Sequence, residues 1–173
     1  MVIIRSYSEG IDAIRVGILI ADTYCKYNLD FASPEEQQKL LGPFRYARSA
    51  EPSHRDEIAC VLRSELMYVA EDGGEIVGVL RGRKERLASL FVHGGYHRQG
   101  IGRRLVEHFE QDCERLEYRV IRLAATLYAV PFYQAMGYRK SSGIRNGWSF
   151  DGFGLKYQPM KKVLKGAELL LLE

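Results

Sequence analysis

A glycine-rich segment between a predicted strand and a predicted helix carries the clearest chemical signal in this sequence. The strand covers Arg86 to His93, and the residues His97-Arg98-Gln99-Gly100-Ile101-Gly102 lead into the helix. The first turn of a helix has unpaired backbone N–H groups and a partial positive charge, which together can bind phosphate. Gly100 and Gly102 let an anion approach this backbone closely. The segment therefore predicts either a phosphate or pyrophosphate site or a tight strand-to-helix connection.

Basic residues are concentrated in the central part of the chain around this loop. They are Arg81, Arg83, Lys84, Arg86, Arg98, Arg103 and Arg104. Such a run is usually a solvated face, although the arginines beside the loop could attract further phosphate groups. The whole chain has 25 Lys and Arg against 22 Asp and Glu, a net charge of +3. That small excess favours a local anion site over a general nucleic-acid coat, and a nucleic-acid-binding module is kept as an alternative.

A second motif, Pro131-Phe132-Tyr133-Gln134-Ala135-Met136-Gly137-Tyr138, follows one helix and one strand later. Together the two motifs resemble the GCN5-related N-acetyltransferase (GNAT) family. That family has an acyl-CoA loop of the pattern Arg/Gln-x-x-Gly-x-Gly/Ala and a downstream signature Phe-Tyr-x-x-x-Gly-Phe/Tyr. The resemblance covers roughly Val2 to Leu164. Two positions depart from it: His97 stands first in the loop, and Thr126 stands where the family often has Asn.

The resemblance implies that acetyl-CoA is the co-substrate and that backbone groups hold most of it. The pyrophosphate is expected on the amides of Gln99, Gly100, Ile101, Gly102 and Arg103. The pantetheine arm is expected to pair with Phe91 and Val92, while Arg98, Arg103 or Arg104 attract the remaining CoA phosphate. The function implied is transfer of an acetyl group from acetyl-CoA to a primary amine, and the alternative is a non-catalytic acyl-CoA-binding or regulatory domain.

Two side chains are predicted to act in the transfer reaction. Tyr133 is near the CoA sulfur by resemblance. A phenol with a pKa of about 10 can give a proton to a thiolate whose acid has a pKa of about 8.5. A core aromatic role is the alternative for Tyr133. Glu85, Glu71 and His93 are the nearest candidates for a general base, whose identity the sequence leaves open. The alternative is a surface ion pair for Glu85 and a loop histidine held by the backbone for His93.

The acyl carbonyl and the acceptor have their own candidate positions. A backbone N–H of Phe91 or Val92 is expected to stabilise the carbonyl oxygen as it gains charge. The segment Ser142–Gly154 is placed near the acceptor by the resemblance, and its aromatic residues and Asp151 could shape a pocket. A flexible hairpin loop is the alternative for that segment.

Hydrophobic patterning predicts the elements that position these residues. A strand from Val2 to Tyr7 precedes a helix capped by Ser8, whose apolar stripe is Ile11, Ile14, Ile18, Ala21 and Cys25. The later elements are a capping-box helix from Ser33 to Gly42, a helix from Ser53 to Glu65, a hairpin from Met67 to Arg81, a helix with the apolar face Ile101, Leu105, Phe109, Cys113 and Leu116, a strand Val120–Ala125, a short helix from Pro131 to Gly137, and strands Tyr138–Ser141 and Gly154–Leu164.

The fold class predicted is an α/β acyltransferase fold of GNAT type, a mixed and mostly antiparallel sheet flanked by helices. CoA is expected to enter where the parallel strands Arg86–His93 and Val120–Ala125 diverge. One domain is predicted over residues 1–165, followed by a tail over 166–173 in which Leu172 and Glu173 could derive from cloning.

Composition bounds the remaining expectations. No apolar run approaches the roughly 20 residues that cross a bilayer, so a cytoplasmic protein without a membrane partner is expected. Cys25, Cys60 and Cys113 lack ligand spacing, so they are predicted to be reduced thiols and no metal site is predicted. The expected partner is a small-molecule or peptide amine acceptor. The sequence leaves open the identity of that acceptor, a homodimer and the acyl-chain preference beyond acetyl.

Overall fold

The computed structural model describes residues 1–164, which form five α-helices and eight β-strands. The helices are α1 (Glu9–Asn28), α2 (Pro34–Leu41), α3 (Pro52–Leu62), α4 (Ile101–Arg115) and α5 (Val130–Ala135). The strands are β1 (Ile3–Ser6), β2 (Leu66–Asp72), β3 (Glu75–Arg83), β4 (Arg86–Val92), β5 (Val120–Thr126), β6 (Arg139–Lys140), β7 (Arg145–Ser149) and β8 (Gly152–Val163). The tail predicted from Gly166, with Leu172 and Glu173, lies outside the described residues. No helix within 1–164 has the length and apolar character needed to span a bilayer.

The strands form one sheet in the order β1-β2-β3-β4-β5-β8-β6, and β7 pairs with β8 beside it. The β4–β5 pair is parallel, and the other pairs are antiparallel. Helices cover both faces, which confirms the predicted mixed, mostly antiparallel α/β fold. On one face α4 and α5 pack over a core that includes Leu105, Phe109 and Ile121. On the other face α1, α2 and α3 pack over a core that includes Ile20, Leu62 and Val79.

The buried side of α1 differs from the predicted stripe. Ile11 is 68% exposed and Ile14 is 46% exposed, whereas Val16 and Ile20 are buried. The buried side begins at Asp12, because its carboxylate accepts two hydrogen bonds from Arg5 at 2.7 and 2.9 Å. The stripe prediction is therefore wrong at Ile11 and Ile14, whereas its members Ile18, Ala21 and Cys25 are partly buried and pack against the core.

Local sequence signals predict the ends of α2 closely and those of α1 and α4 less closely. At α2, Ser33 forms the predicted capping box with Glu36, and the helix ends before Gly42. At α1, Ser8 holds the N-cap position, but its side chain makes no capping hydrogen bond. At α4, the predicted apolar face is buried except for Leu116, which lies beyond the helix end and is exposed.

The segment Ser142–Gly154 contains a strand that the sequence pattern did not predict. β7 pairs with the first half of β8 over Arg145 to Ser149 and makes a hairpin with it. Ser149 anchors this hairpin, because its hydroxyl donates to the Leu40 carbonyl at 2.9 Å and accepts from the Tyr24 hydroxyl at 2.8 Å. Interrupting glycines and the lack of apolar alternation concealed the strand.

Candidate functional site

The strands β4 and β5 are joined at one end only. Within residues 1–164 their single register pair is Arg86 with Arg122, where the Arg122 N–H donates to the Glu85 carbonyl at 2.8 Å. Beyond this pair the strands separate, and a gap runs to Val92 on one side and Thr126 on the other. This is the divergence predicted from the sequence, and it leaves one edge of β4 without a partner strand.

A β-bulge at Ala88 sets which backbone groups of β4 face the gap. The β3–β4 register passes from Arg81 opposite Ser89 to Gly82 opposite Leu87, so Ala88 has no partner. A bulge of this kind bends its strand and reverses the alternation of its N–H groups beyond that point. It thus accounts for both the divergence from β5 and the orientation of the last four residues of β4.

Above the bulge, alternate residues of β4 turn their backbone toward the gap. The His93 N–H donates to the Val77 carbonyl at 2.8 Å, which makes Phe91 and Val79 a pair that exchange hydrogen bonds. Val92 and Leu90 therefore direct their N–H groups away from β3 and into the gap. Of the two backbone positions predicted, the structure turns Val92 toward the gap and Phe91 toward β3. Leu90 was missed, because only the register shows its orientation.

His97 closes one end of this edge. Its Nε2 lies 2.8 Å from the Val92 carbonyl oxygen, and its ring packs against Tyr27 at a centroid distance of 4.8 Å. The carbonyl accepts this bond, so the Nε2 carries the proton. His97 therefore braces the end of β4, which explains how a residue unlike the Arg or Gln of the motif fits at this position.

The glycine loop presents free amides at the start of α4. Gly100 has φ 79° and ψ 1°, a left-handed conformation that glycine adopts without steric cost. The Arg104 N–H donates to the Gly100 carbonyl at 3.0 Å, so the amides of Ile101, Gly102 and Arg103 precede the first helical hydrogen bond. The Ile101 side chain is buried in the core, so only its backbone is available to a ligand.

Gly102 brings three elements of the site together. A Cβ at this position would lie 3.4 Å from the Phe132 ring and 3.7 Å from the Val92 side chain. The first turn of α4 thus contacts both the end of β4 and the start of α5. The two sequence motifs meet at this contact, and the loop amides lie next to the open edge of β4.

The predicted loop side chains differ in how firmly they are held. Arg98 is exposed with φ 62°, and Arg103 is exposed and lies 3.9 Å from Glu107. Arg104 instead donates to the Val2 carbonyl at 3.0 Å, and Gln99 donates to the Gly95 carbonyl at 2.9 Å. Arg98 and Arg103 are therefore free to meet a ligand, whereas Arg104 and Gln99 hold the protein chain.

Tyr133 lies on α5 behind Phe132 and is 5% exposed. Its ring packs edge-on against Phe132 at 5.0 Å and against Tyr138 at 5.6 Å between centroids. Burial raises the pKa of the Tyr133 phenol above its ordinary value, so the hydroxyl stays protonated at neutral pH. Within residues 1–164 no hydrogen bond occupies that hydroxyl, which leaves its proton available.

The candidate bases lie apart from Tyr133. Glu85 is at the opposite end of β4 from the loop, with φ 56°, and accepts from Arg122 at 3.0 Å. Glu71 accepts from Arg5 at 2.6 and 2.8 Å. His93 is at the mouth of the gap, but its Nδ1 accepts from the Gly95 N–H at 3.2 Å, so the proton of the neutral ring is on Nε2. The structure thus separates Glu85 from Tyr133, pairs one carboxylate oxygen each of Glu85 and Glu71 with an arginine, and engages Nδ1 of His93.

Asn28 is a site residue that the sequence pattern did not indicate. Its side-chain amide donates to the Thr126 hydroxyl at 2.8 Å. The bond ties the end of α1 to the end of β5, across the mouth of the gap. Thr126 departs from the family pattern, and an asparagine from another element lies beside it. No local signal marks Asn28, because the contact joins residues 98 positions apart.

Comparison with known proteins agrees with this geometry. Residues 32–164 match the family model described as an acetyltransferase (GNAT) domain. The GCN5-related N-acetyltransferase structure from Rhodopseudomonas palustris is 21% identical, with a TM-score of 0.76 over 94% of this chain and 95% of that one. The PaiA N-acetyltransferase from Thermoplasma acidophilum, solved with coenzyme A, is 16% identical, with a TM-score of 0.64 over 94% and 99%. An aminoglycoside 6'-N-acetyltransferase, also with coenzyme A, is 18% identical, with a TM-score of 0.61 over 94% and 97%.

Proposed function

The chain belongs to the GNAT family of acetyl-CoA-dependent N-acetyltransferases, and we propose that it transfers the acetyl group to a primary amine. The observation that carries this proposal is the meeting of two backbone features. The open edge of β4 and the free amides of α4 adjoin at Gly102. A ligand with an extended amide-bearing arm and a pyrophosphate fits both features at once.

We assign the binding of acetyl-CoA mainly to the backbone. The amides of Gln99 to Arg103 receive the pyrophosphate, with Gly100 leaving open space in front of them, since a Cβ there would meet no atom within 4 Å. The pantetheine arm adds to the free edge of β4 as a further strand would. Arg98 and Arg103 attract the remaining phosphate, because both are exposed and near the helix start.

The chemical step consists of attack by the amine, breakage of the thioester bond and protonation of the thiolate. The neutral amine nitrogen attacks the thioester carbonyl carbon and loses its surplus proton to water. The C–S bond then breaks, and the thiolate takes a proton from Tyr133, whose phenolate recovers one from water. We assign stabilisation of the carbonyl oxygen, as it gains charge, to the N–H groups of Leu90 and Val92, which point into the gap. We assign donation of the proton to Tyr133, and three observations support this: its phenol is buried, protonated and without another partner within residues 1–164.

Neither acidic candidate for the general base fits the proposal. Glu71 and Glu85 are both ion-paired to arginines, and Glu85 lies at the closed end of the gap. We therefore give neither carboxylate a proton to move, and the amine enters the site in its neutral form. At pH 7 only about one in a few thousand lysine-like amines is neutral, so turnover should rise with pH until another group limits it.

The test is release of free CoA from acetyl-CoA against a broad panel of primary amines, with hydrolysis measured without an amine. The proposal predicts amine-dependent release and a mass increase of one acetyl group on the acceptor. A protein that gains thermal stability from acetyl-CoA but releases no thiol with any amine would instead be an acyl-CoA-binding domain without turnover. A protein that shows neither response would refute both functions.

A further inference from the structure

A basic groove lies beside the closed end of the β4–β5 gap. It has a volume of about 350 Å³, and its lining includes Arg86, Arg122, Arg145 and Lys161 together with Ala124 and Tyr157. All the charged side chains in its lining are cationic. This groove is separate from the glycine loop, because Arg86 begins β4 and the loop follows the end of β4.

The groove opens on the exposed face of β5 and β8. In β5, Ile121, Leu123 and Ala125 are buried toward α4, while the alternating residues Arg122 and Ala124 are exposed. Most of the positive charge of the groove has no acidic partner within residues 1–164. Arg122 pairs with Glu85 at 3.0 Å, but Arg86, Arg145 and Lys161 form no ion pair with a described residue.

We propose that this basic groove binds an anionic group of the amine acceptor, so that the enzyme prefers primary amines that also carry carboxylate or phosphate. The inference rests on the proposed function, which puts the acyl carbonyl at Leu90 and Val92. Leu90 is four residues along β4 from Arg86, a separation of about 13 Å. An acceptor of three or four extended residues spans that distance, at about 3.3–3.6 Å per residue.

Charge chemistry explains why the preference would be for anions. Three cations without counter-charges repel each other and repel any cationic ligand, so a polyamine acceptor is disfavoured in the groove. Planar guanidinium groups bind carboxylate and phosphate oxygens in pairs, and two of the three unpaired cations are arginines. Arg122 differs from the other three cations because Glu85 pairs with it at 3.0 Å, so Glu85 acts there as a counter-ion.

The experiment compares three C-terminally amidated peptides with a free N-terminus: Ala-Ala-Asp-Glu, Ala-Ala-Asn-Gln and a phosphoserine form, Ala-Ala-pSer-Gln. Acetylation is followed by CoA release, and binding is measured separately by calorimetry in the presence of CoA. The proposal predicts kcat/KM at least 10-fold higher for the anionic peptides than for the neutral one, falling as salt is raised. The carboxylate and phosphate peptides tell the two anion sources apart.

The matched variants are Arg86→Gln with Lys161→Gln, and a control, Arg55→Gln with Lys39→Gln, that loses the same two positive charges at exposed positions of α3 and α2. The groove double variant should weaken anionic-peptide binding roughly 5- to 10-fold, whereas the control should not. Equal use of neutral and anionic peptides, or equal effects of both variants, would overturn the proposal. Tighter groove-dependent binding of an RNA or DNA oligonucleotide than of either peptide would also overturn it. If charge-dependent binding persists but neither these peptides nor any amine of the broad panel releases CoA, the proposed function fails while the anion site stands.

Discussion

Replacing Gly100 by leucine should remove the response to acetyl-CoA while the protein still folds. Gly100 has φ 79°, and a left-handed backbone costs an L-residue about 1–2 kcal/mol. No atom lies within 4 Å of the Cβ that leucine would add, so backbone strain is the main cost. In a chain of this size 1 kcal/mol shifts the Tm by about 2–4 °C, which predicts a fall of roughly 2–8 °C.

The ligand effect is separable from that strain. At a hundred times its Kd, acetyl-CoA should stabilise the unmodified protein by about 2.7 kcal/mol, or roughly 5–11 °C in Tm. The leucine side chain would fill the open space in front of the loop amides, so the variant should gain almost nothing at the same concentration. Thermal unfolding with and without saturating acetyl-CoA measures both quantities in one series.

Gly73→Leu is the matched control. Gly73 lies in the turn between β2 and β3, has φ 58°, and has no atom within 4 Å of an added Cβ. It should lose similar stability from strain but keep the whole shift with acetyl-CoA. The reasoning about the loop amides is refuted if Gly100→Leu keeps the shift, or if the control loses it to the same extent.

Three further predictions concern proton donation, CoA affinity and acid stability. Tyr133→Phe should lower kcat about 10²-fold and spare acetyl-CoA affinity, while Tyr138→Phe in the same buried pair should not, as steady-state kinetics would show. Arg103→Gln should raise KM for acetyl-CoA with kcat unchanged, whereas Arg104→Gln should mainly lower Tm, because Arg104 holds the Val2 carbonyl. The bonds from Arg5 lower the pKa of Asp12, so unfolding free energy should drop as pH falls below about 4, and urea titrations should show a smaller drop for Asp12→Asn.

Local signals in the sequence were sufficient where one segment determines its own structure. The capping box at Ser33, the hairpin turn at Gly73 and the strand-loop-helix around Gly100 all depend on residues close together in the chain. Periodicity failed at the start of α1, because the burial of Asp12 depends on its ion pair with Arg5 on β1. It failed at β7 because pairing with β8, rather than its own composition, makes that segment a strand.

The orientation of β4 could not be predicted for a related reason. Side-chain types do not mark Ala88 as the bulged residue, since the bulge exists only in the register with β3. Without it, the alternation of N–H groups along β4 would be assigned the wrong way, and Leu90 would not be considered. The separation of Glu85 from Tyr133 is likewise a property of the sheet, because the two residues lie at opposite ends of β4 only once the strands are aligned.

Backbone and side chains carry different parts of the proposed function. The features assigned to acetyl-CoA are a bulge, an open strand edge and a helix start, which need few particular residues. Such backbone features can persist while most side chains change. The groove assigned to the acceptor depends instead on the side chains of Arg86, Arg145 and Lys161, so its charge can change without changing the fold. Acceptor preference in this chain should accordingly follow those three cations rather than the preferences of structures that share its backbone.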